Sequence, residues 1–428
     1  MTDELRLEKN KKIASTQKDT HERRESQVCR VFKVKIQDNQ LSKIQKEQLK
    51  MIFVEAKWLY NDILRFSENP EQKPWNYDTK TKLVIKKDKD FNDVKVDLKF
   101  IPASVKQTVQ AELISSIRGL SVLKKHGNKV GRLKYQKEIT SVNYKQYGIT
   151  HKVISSKRIK LQGIKGSVVV NGLKQFYDNP DYELANAKLI NTPLGYYVAF
   201  TCFIDKDKIE KKETNGKTIG IDFGCSTAFT TSEGEKTQAS VQESERLKKL
   251  QRKFARQQKG SKRRYRTLGL IKGEYQKQTN KKNDLANKIV AKFLENDLVV
   301  IQDEHLKGWQ KGGHGKAVQH SVLGRVKAKL ILSPRVAVLS RTAPTSKLCR
   351  KCGIYHDELR VWDRTFKCGC GVSEDRDVHA AKNMVWMYEN NLGLGQPKVT
   401  RMEMEALVKD ALGIQDQLLS TKCEDPSL

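Results

Sequence analysis

Acidic residues are the scarce class in this chain of 428 residues: 50 Asp and Glu face 82 Lys and Arg, leaving a net charge of +32. A compact state so charged repels itself unless a polyanion neutralises part of it, which argues against a partner-free protein and makes nucleic acid the expected partner. Long apolar runs are missing too. No stretch approaches the roughly 18 apolar residues of a membrane-spanning helix, and no signal peptide opens the chain, so no membrane partner and a cytoplasmic location are expected. A spread disulfide framework is also absent. Of the eight cysteines, Cys29, Cys202, Cys225 and Cys423 stand singly, while Cys349, Cys352, Cys368 and Cys370 cluster. In an intracellular chain such clustering points to a metal and leaves the scattered four as ordinary thiols.

What is present suggests about two to four domains. Residues 1–26 are nearly all polar or charged and read as a disordered tail. From Val28 the pattern alternates, with Phe32, Val34 and Ile36 on one face, as in a strand. Residues 41–66 carry Leu41, Ile44, Met51, Ile52, Leu59, Tyr60, Ile63 and Leu64 at helical steps. A second helix is predicted after Pro102, through Val105, Val109, Leu113, Ile117, Leu120 and Leu123 to a stop at Gly127. Alternating runs return between Lys152 and Asp205, as in a small barrel or sandwich, so the helical lobe looks inserted between strands. Residues 217–230 and 297–303 read as buried strands. Between them, Arg246, Lys248, Lys249, Arg252, Lys253 and Arg256 lead into GSKRRYR at 260–266. This segment predicts a basic helical hairpin over 240–290, either a solvated face or, with so few acids interleaved, a phosphate-contacting one. The tail after Gly395 reverses the bias, with more acids than bases.

Two constellations carry chemistry. Cys349-x2-Cys352, fifteen residues, then Cys368-x-Cys370 can complete a tetrahedral Zn2+ shell, with Gly353, Gly369 and Gly371 allowing tight turns. The second pair is one residue shorter than usual, which leaves open free thiols or three cysteines with another ligand. A ribbon this small draws much of its folding free energy from the ion, and a closed shell makes that ion structural. The second constellation is three acids. Asp222 ends an apolar strand in KTIGIDFG, where an unpaired carboxylate is costly to bury. Glu304 follows VVIQD, and Asp377 sits in SEDRDVHAAKN, placed to cap or lead a helix. Carboxylates at strand ends and a helix start can converge on two Mg2+ ions for phosphodiester hydrolysis. Each alone is more often a turn or cap residue; the trio together with the cysteines favours a nuclease.

The chain resembles the RuvC-containing nucleases that include transposon-encoded TnpB and the miniature type V-F CRISPR effectors. GIDFG at 220–224, VVIQDEHLKGWQ at 299–310, TSKLCRKCG at 345–353 and FKCGCGVSEDRDVHAAKNM at 366–384 carry the resemblance. It implies a multidomain α+β and α/β protein. A wedge-like β-barrel (27–40 and 150–212) would be interrupted by a helical recognition lobe (41–149). An RNase H-like RuvC domain (213–345 and 376–395) would hold an inserted zinc ribbon (346–375), followed by a C-terminal tail (396–428). It further implies guide-RNA binding, a short motif beside the target, pairing of the guide with target double-stranded DNA, and cutting at a single RuvC site in a prokaryote. A homodimer and a T-rich motif are weaker implications. Asp222 matches the first family acid and Asp377 the second Asp of the D-R-D run. Gln302 stands where the common motif has Glu; positions 302 and 304 share a strand face, so Glu304 is the expected second acid in preference to Asp303. His379 stands where Asn is usual, either hydrogen-bonding near the metals or lying on the helix surface.

On this reading Asp222, Glu304 and Asp377 bind two Mg2+ ions and catalyse. Cys349, Cys352, Cys368 and Cys370 hold one Zn2+, and Arg252, Lys253, Arg256, Lys262, Arg263, Arg264, Arg266 and Arg376 contact nucleic acid. Trp58, Tyr60, Trp75 and Tyr77 are candidates for stacking on bases or for core. Two rivals are a guide-independent RNase H-like transposase or resolvase, and an RNA-guided binding protein without cleavage.

Overall fold

The computed structural model describes residues 3–69, 71–88, 90, 92–209, 213–360 and 362–392. The described residues divide into two compact units, one before residue 210 and one after it. The fold is mixed α/β. No described helix is long and apolar enough to cross a membrane.

The first unit begins with α1 (Asp3–Glu25). This corrects the expectation of a disordered tail: the segment lacks an apolar face, but it is rich in Lys, Glu and Arg and has no Gly or Pro to break a helix. Strand β1 (Gln27–Ile36) follows, then α2 (Lys43–Phe66), β2 (Leu83–Lys87), β3 (Asp93–Asp97) and α3 (Ala103–Lys125). The remaining elements are β4 (Ser141–Tyr144), β5 (His151–Ser155), β6 (Arg158–Leu161), β7 (Val168–Asn171), α4 (Lys174–Tyr177), β8 (Glu183–Thr192) and β9 (Gly195–Asp205). One seven-stranded sheet runs β4-β8-β9-β1-β7-β6-β5, so the inserted elements interrupt a sheet that β1 shares with the later strands. Strand β4 belongs to this sheet, although it lies in the stretch read as helical lobe. That stretch also holds the β2–β3 hairpin.

The sheet's two edges, β4 and β5, are consecutive in sequence. The seven steps of chain from Tyr144 to His151 reach at most about 25 Å, whereas seven flat strands at about 4.8 Å spacing would set the edges about 29 Å apart. The sheet must therefore roll up into a nearly closed barrel, with the Tyr147–His151 bridge lying in the short connection between its two edges. Its interior takes alternate residues, Val34 and Ile36 from β1 and Val198, Phe200, Cys202 and Ile204 from β9. Ser42 and Gln45 form a capping box at the start of α2, whose apolar stripe Leu49, Ile52, Ala56, Leu59 and Ile63 joins the same core.

Glu55 on α2 is 1% exposed. Its carboxylate accepts from the backbone N–H groups of Lys99 (3.0 Å), Phe100 (2.8 Å) and Ile101 (2.8 Å), which ties the approach to α3 onto α2. Glu55→Ala strands three backbone donors, one buried and two part-buried, and is expected to destabilise the first unit by about 3 kcal/mol, measured as an earlier denaturant midpoint of the full chain.

The second unit contains β10 (Thr218–Phe223), β11 (Phe229–Thr231), β12 (Lys236–Thr237), α5 (Glu245–Arg256), α6 (Lys262–Phe293) and β13 (Leu298–Gln302). Then come α7 (Leu306–Lys311), α8 (Gly315–His320), α9 (Leu323–Leu330), β14 (Val336–Leu339), β15 (Thr365–Lys367), β16 (Ser373–Asp375) and α10 (Arg376–Glu389). Its main sheet runs β12-β11-β10-β13-β14, with β10, β13 and β14 parallel and β11 antiparallel to its neighbours. Ile219, Ile221, Phe223, Val299 and Ile301 join a core with Ala286, Ile289 and Phe293 of α6 and Leu323 and Val326 of α9. Val300 packs instead with Met384 and Met387 of α10. Strand alternation thus places Gly220 and Asp222 of β10, and Gln302 of β13, on the α10 face.

Candidate active site

Helix α10 lies against β10 at a separation only glycine permits: a Cβ on Gly220 would run into the Ala381 carbonyl. This approach brings the first turn of α10 beside the end of β10. Asp375 caps the helix, its Oδ1 accepting from the N–H groups of Asp377 (3.1 Å) and Val378 (3.2 Å), and it also ion-pairs with Lys236 at 2.7 Å. Asp377, relieved of the capping role, leads the helix. Asp222, Glu304 and Asp377 line one cavity of about 540 Å3 with Gln302, Arg341, Arg364 and Arg376.

Burial, and then the carboxylates of Asp377 and Glu304, hold the Asp222 carboxyl well above the ordinary range. Burial also raises Glu304, against the pull of Lys327 and Arg341. Asp303 behaves oppositely. Lys327 (2.7 Å) and Arg341 (3.0 Å) hold it below the ordinary range, and it does not line the cavity. An all-oxygen set of three acids, two of them costly to ionise, suits hard divalent cations, because a cation removes the repulsion that raises them.

The four clustered cysteines are the only group of three or more His, Cys, Asp or Glu among the described residues whose ligand atoms all lie within 4.8 Å of one another. Cys349 and Cys370 sulfurs are 3.5 Å apart and those of Cys352 and Cys368 3.4 Å, close to the edge of about 3.8 Å expected of a tetrahedral Zn–S4 shell. The site therefore fits a structural zinc. Gly353 and Gly371 close the two knuckles in left-handed conformations, with φ of 72° and 90°. Strands β15 and β16 form a hairpin whose turn carries the second knuckle and whose second strand leads into α10. Among the scattered cysteines, Cys202 is buried, Cys29 exposed and Cys225 intermediate, and all three are free thiols; Cys423 and the segment 393–428 lie outside the described residues.

The two residues that depart from the family motif make contacts away from the acids. Gln302 does not offer its amide to the acids: Nε2 donates to the carbonyls of Ser340 (3.1 Å), Arg341 (3.2 Å) and Ala343 (2.7 Å), and Oε1 accepts from Thr345 Oγ1 (3.0 Å). His379 is neither on the helix surface nor in the acid cavity. It is fully buried under the ribbon, stacked on Phe366 with centroids 3.6 Å apart. Its Nε2 meets the Leu348 carbonyl at 2.8 Å and its Nδ1 lies 2.7 Å from Glu374. Burial raises the Glu374 carboxyl, but hydrogen bonds from Arg350, Lys382 and His379 outweigh it and pull the group down to about 2.

Of the basic candidates, Arg252, Lys253, Arg256, Lys262, Arg263 and Arg266 are exposed on α5 and α6. Arg264 is not: its Nη1 donates to the Phe254 and Gln257 carbonyls at 2.7 Å, and its guanidinium lies 3.8 Å from the Phe254 ring centre. The ending α5 leaves carbonyls without intrahelical donors, and Arg264 meets them. Arg376 donates to the carbonyls of Arg360 (3.3 Å) and Asp363 (3.4 Å) at the cavity rim. Arg341 and Arg364 join that rim from positions no periodicity or spacing had marked. Trp58 and Tyr60 pack against the core, and Tyr77 donates to Asp62 at 2.6 Å; of the four aromatic candidates only Trp75, at 61% exposed, is open to a partner.

Residues 326–384 match the family described as Cas12f1-like, TNB domain, and residues 201–303 the family described as probable transposase. The resemblance carried by the motifs therefore stands for these segments. A Streptomyces pristinaespiralis protein named "Putative RNA-guided DNA endonuclease" is 29% identical over 200 residues, 44% of this chain and 49% of that protein. The chain thus spans about half the length of this relative. A protein chain in a cryo-EM structure of the Cas12f1-sgRNA-target DNA complex aligns over 80% of this chain and 83% of its own, at 12% identity and a TM-score of 0.44.

Metal analysis of the full chain is expected to find about one zinc per molecule. Cys349→Ser should lower that content and the melting temperature together, since the ion supplies much of the ribbon's folding free energy.

Proposed function

We propose that the chain is an RNA-guided DNA endonuclease that binds a guide RNA, pairs it with target double-stranded DNA, and hydrolyses phosphodiester bonds at a single RuvC-like site. The observation that carries this reading is the meeting of Asp222, Glu304 and Asp377, far apart in sequence, in one cavity rimmed by Arg341, Arg364 and Arg376. Two Mg2+ ions on these carboxylates would supply an activated water and a stabilised leaving oxygen.

The chain's own side chains account for the rest. The three guanidinium groups offer charge-assisted donors to a phosphate approaching the acids, whose own charge would otherwise repel it. Arg376, next to Asp377, does so from a position fixed by two carbonyls. The exposed Arg252, Lys253, Arg256, Lys262, Arg263 and Arg266 form a cationic hairpin surface for a nucleic-acid backbone, which carries no sequence information. Specificity then falls to base pairing with a guide. The name of the Streptomyces relative supports RNA guidance. The match to the probable-transposase family favours, as a second reading, a nuclease that needs no guide.

Sequencing the RNA that co-purifies with the full chain separates the two: a defined RNA species is expected, and RNA-free protein that still cuts DNA would establish the second reading. Asp222→Ala or Asp377→Ala is expected to lower Mg2+-dependent cleavage by about 10³-fold or more while nucleic-acid binding persists. Normal cleavage by either variant would remove the site from consideration.

A further inference from the structure

We propose that two buried side-chain amides, Gln302 and Asn383, are positioning residues of the acid cavity, and that through them the metal-bound fold of the ribbon sets where Glu304 and Asp377 stand. The inference rests on the reading of that cavity as a divalent-cation site. Gln302 is the last residue of β13, two before Glu304. Asn383 lies on α10, the helix that Asp377 leads. Both are buried, at 4% and 0% exposure.

The two amides hold one segment between them. Gln302 Nε2 donates to the carbonyls of Ser340, Arg341 and Ala343. Asn383 Nδ2 donates to those of Thr345 and Leu348, both at 2.7 Å. Thr345 also closes the circuit through its hydroxyl on Gln302 Oε1, and Leu348 O takes a further contact from His379. The segment's next residue is Cys349, the first of the sulfur cluster. A continuous hydrogen-bond path thus runs from β13 through residues 340–348 to α10, with its far end pinned at the first cysteine knuckle.

The chemistry requires the NH2 group. Only a neutral amide donates to several carbonyls at once without bringing a buried charge. Asn383 keeps this arrangement although its own Oδ1 is buried without a partner, so its donors are what the position needs. A carboxylate in either place would turn lone pairs towards carbonyl oxygens. Unfolding of the first knuckle would withdraw Leu348 and Thr345, orphan the amide of Asn383, and free α10 from the loop that joins it to β13. The acids would then lose their fixed spacing, and outer contacts of this kind typically govern metal affinity by about 10–100-fold.

The test uses the full chain and Mn2+ as the probe, with free Mn2+ read by electron paramagnetic resonance at a temperature well below each protein's melting transition, and zinc measured in parallel. Gln302→Leu, which removes the donors without adding a carboxylate beside the acids, and Asn383→Asp are expected to weaken Mn2+ binding about tenfold. Stripping zinc from the unsubstituted chain should produce a similar loss, and stripping it from either variant should add little, because both act on the same path. Unchanged Mn2+ affinity after zinc removal, or losses from zinc removal and substitution that simply add, would overturn the proposal; a role confined to stability would lower the melting temperature alone. Asp222→Ala separates the two readings. If it leaves Mn2+ binding intact, the cavity is not the cation site and both readings fall. If it abolishes binding while the amide variants and zinc removal change nothing, only the coupling fails.

Discussion

Carboxylates that share a buried cavity repel one another, and the second unit is arranged around keeping three of them together. Asp222 is there because strand alternation puts it on the α10 face of β10, and Asp377 is there because Gly220 lets α10 come down onto that strand. The cost shows in Asp222, whose carboxyl burial and its two acidic neighbours hold well above the ordinary range. A fold selected for stability alone would place apolar side chains at these positions. The arrangement calls for positive charge, and the arginines at its rim bring some of it close.

The neighbouring charges are sorted accordingly. Asp303 and Asp375, each one or two residues from a cavity acid, are neutralised by Lys327, Arg341 and Lys236 or occupied in capping. Glu374 is held ionised by Arg350 and Lys382. Every acid close in sequence to the cavity thus has a fixed partner, and the unpaired repulsion is confined to the three that face inward. The ribbon contributes through the same logic. Its cysteines close a separate site, while Arg350, Leu348 and Phe366 bind the base of α10 through Glu374 and His379.

In the first unit the constraint is topological. Two edge strands linked by six residues force a seven-stranded sheet to roll, and a long insertion between β1 and β4 then needs anchoring. Glu55 provides one anchor by satisfying three consecutive backbone donors. Two of the aromatic residues in this insertion that sequence alone offered as stacking platforms, Trp58 and Tyr60, serve the core instead, which helical spacing could not distinguish from an exposed stripe.

Local periodicity sufficed to read β1, α2, α3, β9, the basic hairpin, the strand that carries Asp222 and the strand that leads to Glu304, because each repeats apolar residues at the period of its own backbone. The cysteine knuckles were legible for a similar reason: their ligands are close in the chain, and Gly353 and Gly371 mark the turns. Strand β4, four residues long within a basic stretch, had too short a pattern to show, and α1 has no apolar face to betray it. The roles of Asp375 against Asp377, of Arg264, His379 and Gln302, and of Arg341 and Arg364 were decided only in three dimensions. Each depends on a carbonyl, ring or charge supplied by another part of the chain, and no spacing within a motif encodes which distant group will arrive.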